Sequence, residues 1–164
     1  MKAILQRCCS NRLFVAALVS ALCLPLLPAA GRNVLSIADP PPVTVKRGGE
    51  AVLALRAKLL PGYHVNSNTP SDEYLIPLKL SWQAAPLEVI AVDFPDPVLE
   101  DYSFSDGKLS VFTGDFDIKT TFRAPATAPP GAHTITGKLS YQACSDKLCL
   151  PPKTLPVRVE IRVE

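Results

Sequence analysis

Proline limits this chain more than any other residue. There are seventeen in 164 positions, and only Pro25 and Pro28 fall before residue 32. The other fifteen leave no room for a long helix, because each fixes φ and lacks a backbone N–H. Between them, apolar residues recur with the period of strands. In residues 51–59, Val52, Ala54 and Arg56 share one face while Leu53, Leu55 and Ala57 share the other. Similar runs occupy residues 75–82, 87–94, 108–112, 116–122, 133–143 and 154–163. In the last, Val157, Val159, Ile161 and Val163 alternate with Arg158, Glu160 and Arg162, the pattern of a half-buried strand. Turn formers separate the runs: Gly48-Gly49, Pro61-Gly62, Pro95-Asp96-Pro97, Asp106-Gly107 and Pro129-Pro130-Gly131. Short strands punctuated in this way predict an all-β, immunoglobulin-like antiparallel β-sandwich. An antibody-type domain bridges its two sheets with cysteines far apart in sequence, and this chain has no such pair. The apolar core must therefore hold the scaffold, with Trp82 an expected member.

Residues 1–31 read as a secretory signal peptide rather than as part of the fold. Lys2, Arg7 and Arg12 give a positive start, residues 13–27 are apolar, and Ala29, Ala30 and Gly31 offer a cleavage site. The apolar run is short for a spanning helix, which needs about 20 residues; an uncleaved anchor is the alternative. Cys23 follows Ser20-Ala21-Leu22, a poor lipoprotein cleavage box. Residues 32–164 then form one domain with one core. The full chain has 17 basic and 15 acidic residues. Without Lys2, Arg7 and Arg12 the balance becomes slightly acidic. No basic patch or charge run survives, which argues against a nucleic-acid partner. Export would place the domain where disulfides persist.

Of five cysteines, Cys8, Cys9 and Cys23 lie in the leader, leaving Cys144 and Cys149 in the segment YQACSDKLCLPP, residues 141–152. A strand runs into Cys144 and another resumes near Thr154, so residues 145–148 read as a turn. Such a turn can bring the two sulfur-bearing carbons within the roughly 3.5–4.5 Å that a disulfide requires. A bridge closing so short a loop restrains the unfolded chain by only about 2 kcal/mol, so chemistry explains it better than stapling. Pro151 and Pro152 interrupt pairing after Cys149, which predicts a loop at the rim, open to another protein. Lys147 favours a thiolate there and Asp146 disfavours it. The spacing alone admits an inert local bridge, thiol–disulfide exchange or a metal site. Zinc would want two further ligands, only the isolated His64 and His133 are available, and a thioether copper site has no methionine beyond the initiator. We therefore expect no metal and no cofactor.

At YQACSDKLCLPP the chain resembles the N-terminal periplasmic domain of the DsbD thiol:disulfide interchange proteins. The likeness extends through PGYHVNSNTPSDEYLIPLKLSW, residues 61–82, and FSDGKLSVFTGD, residues 104–115. The resemblance implies an immunoglobulin-like sandwich whose disulfide accepts electrons from a membrane-embedded transporter. The reduced pair passes them to thioredoxin-like periplasmic proteins. It further implies that Cys149 forms the mixed disulfides and Cys144 resolves them. A cap loop matching residues 101–108 would cover the pair, with Phe104 as the cap, Tyr102 as second choice and Gly107 letting the loop swing. Tyr141 resembles aromatics that pack near the sulfurs, and is otherwise a plain strand residue. Tyr63 and His64 begin a polar loop, Asn66-Ser67-Asn68, for which a structural role is expected. Two features depart from the family pattern. The chain ends at Glu164, so the donor is expected to be a separate polypeptide, and the cysteine spacing is one residue shorter than in well-known members. The competing function is a non-catalytic protein-binding sandwich with a structural disulfide.

Overall fold

The computed structural model describes residues 33–164. The expected signal peptide, residues 1–31, lies outside the described residues. Twelve strands follow in order: β1 (Leu35–Ile37), β2 (Val43–Val45), β3 (Glu50–Leu59), β4 (His64–Asn66), β5 (Lys79–Gln83), β6 (Glu88–Asp93), β7 (Val98–Glu100), β8 (Leu109–Thr113), β9 (Phe116–Arg123), β10 (Gly131–Tyr141), β11 (Ala143–Cys144) and β12 (Lys153–Val163). No helix occurs among the described residues, and none there is long and apolar enough to cross a membrane.

The strands form three four-stranded sheets, ordered β1-β3-β9-β6, β2-β12-β10-β5 and β11-β4-β8-β7. The first two make the expected immunoglobulin-like sandwich. β3, β10 and β12 alternate buried and exposed residues along most of their length, the signature of strands with one face on a core and one in water. Their inward residues merge into a single apolar core that includes Leu53, Leu55, Ile118, Phe122, Ile135, Leu139 and Ile161. Burial on this scale is the main source of stability, at roughly 25 cal/mol per Å² of apolar surface. Trp82 is half-buried against this core rather than enclosed in it. Its ring meets Phe122 edge-on with centroids 5.3 Å apart, and its Nε1 donates to Thr120 Oγ1 at 3.1 Å, joining the two sheets. Trp82 sits directly opposite Gly137. A Cβ added at Gly137 would lie 2.7 Å from Trp82 Cε3, so the glycine makes room for the indole.

Two departures from the expected pattern follow from local geometry. β2 pairs with β12 in parallel, Ile161 opposite Val43, because β2 runs along the free edge of β12 before the chain crosses to β3. The run at residues 75–82 becomes a strand only from Lys79. Pro77 interrupts it, and before that point the segment is tied sideways to β4, with Asn66 Nδ2 donating to Ile76 O at 3.0 Å and Leu78 N to Ser67 O at 3.1 Å.

The third sheet is the one that carries the cysteines. Its strands β4, β7 and β11 have two or three residues each. One face of the sheet contributes Val65, Phe112 and Ala143 to the sandwich core. The other face covers a small separate cluster of Leu75, Leu109 and Val111, with Tyr102 packed against it. The polar loop at residues 66–68 has the expected structural role. The buried hydroxyls of Ser67 and Ser110 share a hydrogen bond of 2.8 Å, and Ser71 Oγ accepts from Ser110 N at 2.9 Å while donating to Lys108 O at 3.0 Å. Buried polar groups joined in this way fix the register of β4 against β8.

Candidate functional site

β10 does not run unbroken into Cys144, as its periodicity suggested. It ends at Tyr141, and after Gln142 the chain changes sheets to begin β11. There Ala143 and Cys144 pair with Val65 and His64 of β4. Because neighbours along a strand point to opposite faces, Ala143 and Val65 enter the core while Cys144 and His64 share the outer face. Residues 145–148 make the turn, with Ser145 N donating to Leu148 O at 2.9 Å and Ser145 Oγ accepting from Leu148 N at 3.3 Å. Cys144 and Cys149 then face each other across a single antiparallel bridge and are joined by a disulfide. Leu150 N donates to Ala143 O at 2.8 Å, closing the base of the loop. Pairing lapses at Pro151-Pro152 and resumes at Lys153.

The two sulfurs occupy different environments. Cys144 is 0% exposed, whereas Cys149 lies on the surface. Cys149 borders a cleft of about 220 Å³ lined also by Tyr74, Leu75, Phe104, Ser105, Leu109 and Gln142. Its rim is apolar and open: Tyr74 is 74% exposed and Phe104 42%. Asp146 and Lys147, the two charges beside the cysteines, both project into solvent.

Residues 101–108 form the loop above this cleft. Ser103 Oγ donates to Asp146 O at 3.1 Å, tying it to the cysteine turn, and Ser105 Oγ bonds to Tyr102 O and Gly107 O at 3.1 and 2.8 Å. Tyr102 and Phe104 divide the surface between them. Tyr102 lies inward on the small apolar cluster, while Phe104 lines the cleft with Cys149. Their rings stack with centroids 5.5 Å apart. Nothing in the loop geometry requires glycine at Gly107, where an added Cβ meets only open space. Tyr141 is fully buried in the sandwich core at the end of β10. Burial pushes its phenol pKa up, partly opposed by the nearby Leu35 backbone.

His64 escaped the sequence reading as a site residue. It lies opposite Cys144 in the register, is 2% exposed, and stacks on Tyr102 with centroids 4.0 Å apart. Its Nε2 is buried without a hydrogen-bond partner. Burial holds its pKa below the usual 6.5, with Glu100 pulling the other way. Tyr102 donates its hydroxyl to Glu100, and burial followed by this contact raises the tyrosine pKa. No local motif announces the arrangement, because β4 and β11 are about eighty residues apart in sequence and only their pairing makes it. His133 sits at the far end of β10, its Nε2 2.7 Å from Pro129 O, so the two histidines do not converge on the cysteines.

A buried cysteine bonded to an exposed one, at the mouth of an apolar cleft on a β-sandwich, is an arrangement suited to thiol–disulfide exchange. Residues 36–160 match the family described as thiol:disulfide interchange protein DsbD, N-terminal, and the chain belongs to that family. Among solved structures it is similar to the N-terminal periplasmic domain of ScsB from Proteus mirabilis, at 14% identity and a TM-score of 0.51, over 76% of this chain and 44% of that one. The chain thus spans less than half the length of that relative, and at this identity the likeness speaks to the fold alone. A looser likeness, to the seventh ScaB type I cohesin from Pseudobacteroides cellulosolvens, has 20% identity and a TM-score of 0.46 over 79% of this chain and 92% of that one. No curated protein matches the chain in sequence.

Proposed function

We propose that this protein is a periplasmic thiol–disulfide exchange module, a component of protein-disulfide reduction. Residues 1–31 direct its export and residues 32–164 form the working domain. The oxidised pair accepts two electrons from a separate membrane electron transporter of the DsbD type, and the reduced pair delivers them to thioredoxin-like periplasmic proteins. The observation that carries this reading is the asymmetry of the disulfide. Exchange requires a thiolate to approach one sulfur along the S–S axis, and Cys149 is open to such an approach whereas Cys144 is enclosed. A donor thiolate bonds to Cys149 Sγ and the S–S bond breaks. Cys144 Sγ leaves with the electron pair, and the donor's second thiol resolves the mixed disulfide. Delivery to a client runs the same steps in reverse, with no cofactor. Phe104 is the cap on the cleft and Tyr102 its anchor; a docking partner displaces the first and leaves the second in place.

The test is the equilibrium of the pair with glutathione, together with trapping of a partner. A potential within the range of exchange proteins, and a mixed disulfide captured through Cys149 in a Cys144→Ser variant, are the expected results. A potential below about −300 mV would mark a structural bridge and favour the binding-module reading. In that case Cys144→Ser combined with Cys149→Ser would leave function intact.

A further inference from the structure

The exchange reading leaves one problem of charge. When a thiolate attacks Cys149, the negative charge that leaves appears on Cys144, which has no exposure to water. An isolated anion in such a place is strongly disfavoured, and a buried thiol is correspondingly inert. Something next to Cys144 has to donate a hydrogen bond or hold a proton beside it when the disulfide opens.

The elements around Cys144 offer a short choice of groups. Glu100, at the end of β7, is acidic and already holds the Tyr102 hydroxyl. Tyr102, on the loop above, is the donor in that bond and keeps its proton, since burial and Glu100 raise its pKa. Asp146, on the cysteine turn, is exposed, and Lys147 beside it projects into solvent. Tyr63 precedes His64 and packs against the sandwich core, while Thr113, opposite His64 on β8, does not titrate. His64 remains. Directly opposed residues of an antiparallel pair have Cβ atoms about 4.5–5.5 Å apart and point to the same face. Its imidazole is buried on that face, with Nε2 unpartnered while the disulfide is closed. The ring is held by Tyr102 at 4.0 Å and borders a cleft of about 460 Å³ that also touches Glu100 and Asp146. That cleft gives it a route to solvent protons.

Resting on the exchange reading, we infer that His64 is the proton-holding partner of Cys144. In the oxidised protein it is neutral, and its Nε2 has no partner. As the S–S bond breaks and the electron pair goes to Cys144 Sγ, His64 takes a proton from solvent through the cleft and stands as imidazolium beside the thiolate. When the pair closes again on a client's disulfide, Cys144 Sγ gives up its negative charge in forming the S–S bond and His64 returns the proton to solvent. The client's sulfurs receive the electrons. No other co-reactant is needed. The Glu100 carboxylate supports the charged imidazole.

The chain has two histidines, His64 and His133, so proton NMR of the intact domain can follow both at once. A nearby opposite charge shifts a pKa by roughly 1–3 units, so reduction with a phosphine should raise the His64 midpoint by about one unit or more. Linkage makes the effect reciprocal. The thiolate absorbance of the reduced protein should therefore titrate about one unit higher in His64→Gln, and its exchange with glutathione should fall roughly tenfold near pH 7 while converging with wild type above pH 9. A purely structural role for His64 would change the rate by the same factor at every pH. Equal His64 midpoints in the oxidised and reduced wild type would overturn the inference without recourse to any variant. If the wild-type pair failed to exchange with glutathione at all, the functional reading would fall and this inference with it. An active wild type with superimposable pH profiles would remove the histidine role alone.

Discussion

The sandwich core and the cysteine layer differ in how they are built. In the first two sheets, strands of eight to eleven residues such as β3, β9, β10 and β12 alternate cleanly and enclose one continuous core. In the third sheet, β4, β7 and β11 have only two or three residues, and the sheet is fastened by side-chain hydrogen bonds and a small apolar cluster around Leu109 and Val111. Stability is concentrated in the first region and accessible chemistry in the second. The region with few buried contacts is also the one free to vary its surface and to open locally. Substitutions in the two regions should therefore have opposite signatures: unfolding for the core, altered exchange with little loss of fold for the layer.

The largest contrast should come from Cys144→Ser with Cys149→Ser. Exchange with a thioredoxin-like protein should vanish, while chemical denaturation shows a loss of only about 2 kcal/mol, the scale of a short disulfide loop. Ile161→Ala should do the reverse. Ile161 is fully buried between β10 and β2, and truncation should cost about 2–5 kcal/mol with the exchange rate of the folded fraction unchanged. A denaturation midpoint insensitive to this change would contradict the division. Phe104→Ala should leave the melting temperature close to wild type but widen access to the already exposed Cys149. An aromatic contact is worth about 0.5–1.5 kcal/mol, so reaction of the oxidised protein with dithiothreitol should quicken by roughly two- to tenfold. A slower reaction would show that the ring assists attack instead of obstructing it.

Acid should weaken the layer before the core. The folded-state pKa of His64 lies below its unfolded value of 6.5. The unfolded chain therefore binds the proton first, and stability present above pH 6.5 is lost as pH falls through the folded value. Hydrogen exchange of the β4 and β11 amides measured at pH 7 and pH 5 should show the loss there, and His64→Gln should remove it. The smallest effect belongs to the surface. Arg56 and Asp117 pair across β3 and β9 at 2.7 Å with both side chains well exposed, and Arg56→Ala should change stability by less than about 1 kcal/mol.

The same division explains how much was legible in the sequence. β3, β9, β10 and β12 are long enough for period-two alternation to stand out, and their inner residues follow directly from it. β1, β2, β4 and β7 have three residues each, too few for any periodicity, so their existence depends on partners elsewhere in the chain. The cysteine pair was visible from composition and spacing. That Cys144 is enclosed and Cys149 open was not, because the change of sheets at Gln142 decides it. His64 remained hidden for the same reason, since its place beside Cys144 is a property of strand register. Tyr141, linked to the sulfurs only by resemblance, lies in the sandwich core. Gly107 shows that a glycine in a loop need not mark a conformation only glycine can adopt.

The backbone bonds around the cysteine turn have a consequence for the timing of the proposed redox cycle. Ser145 N to Leu148 O and Leu150 N to Ala143 O hold the turn without help from the sulfur–sulfur link. Reduction then leaves the two thiols tethered at high effective concentration, and the turn loses little entropy when the ring re-forms. In the proposed exchange, release of a client by the second thiol is an intramolecular step, favoured over attack by a competing small molecule. On that proposal, the lifetime of a captured client is set by how quickly charge can build on the buried sulfur of Cys144.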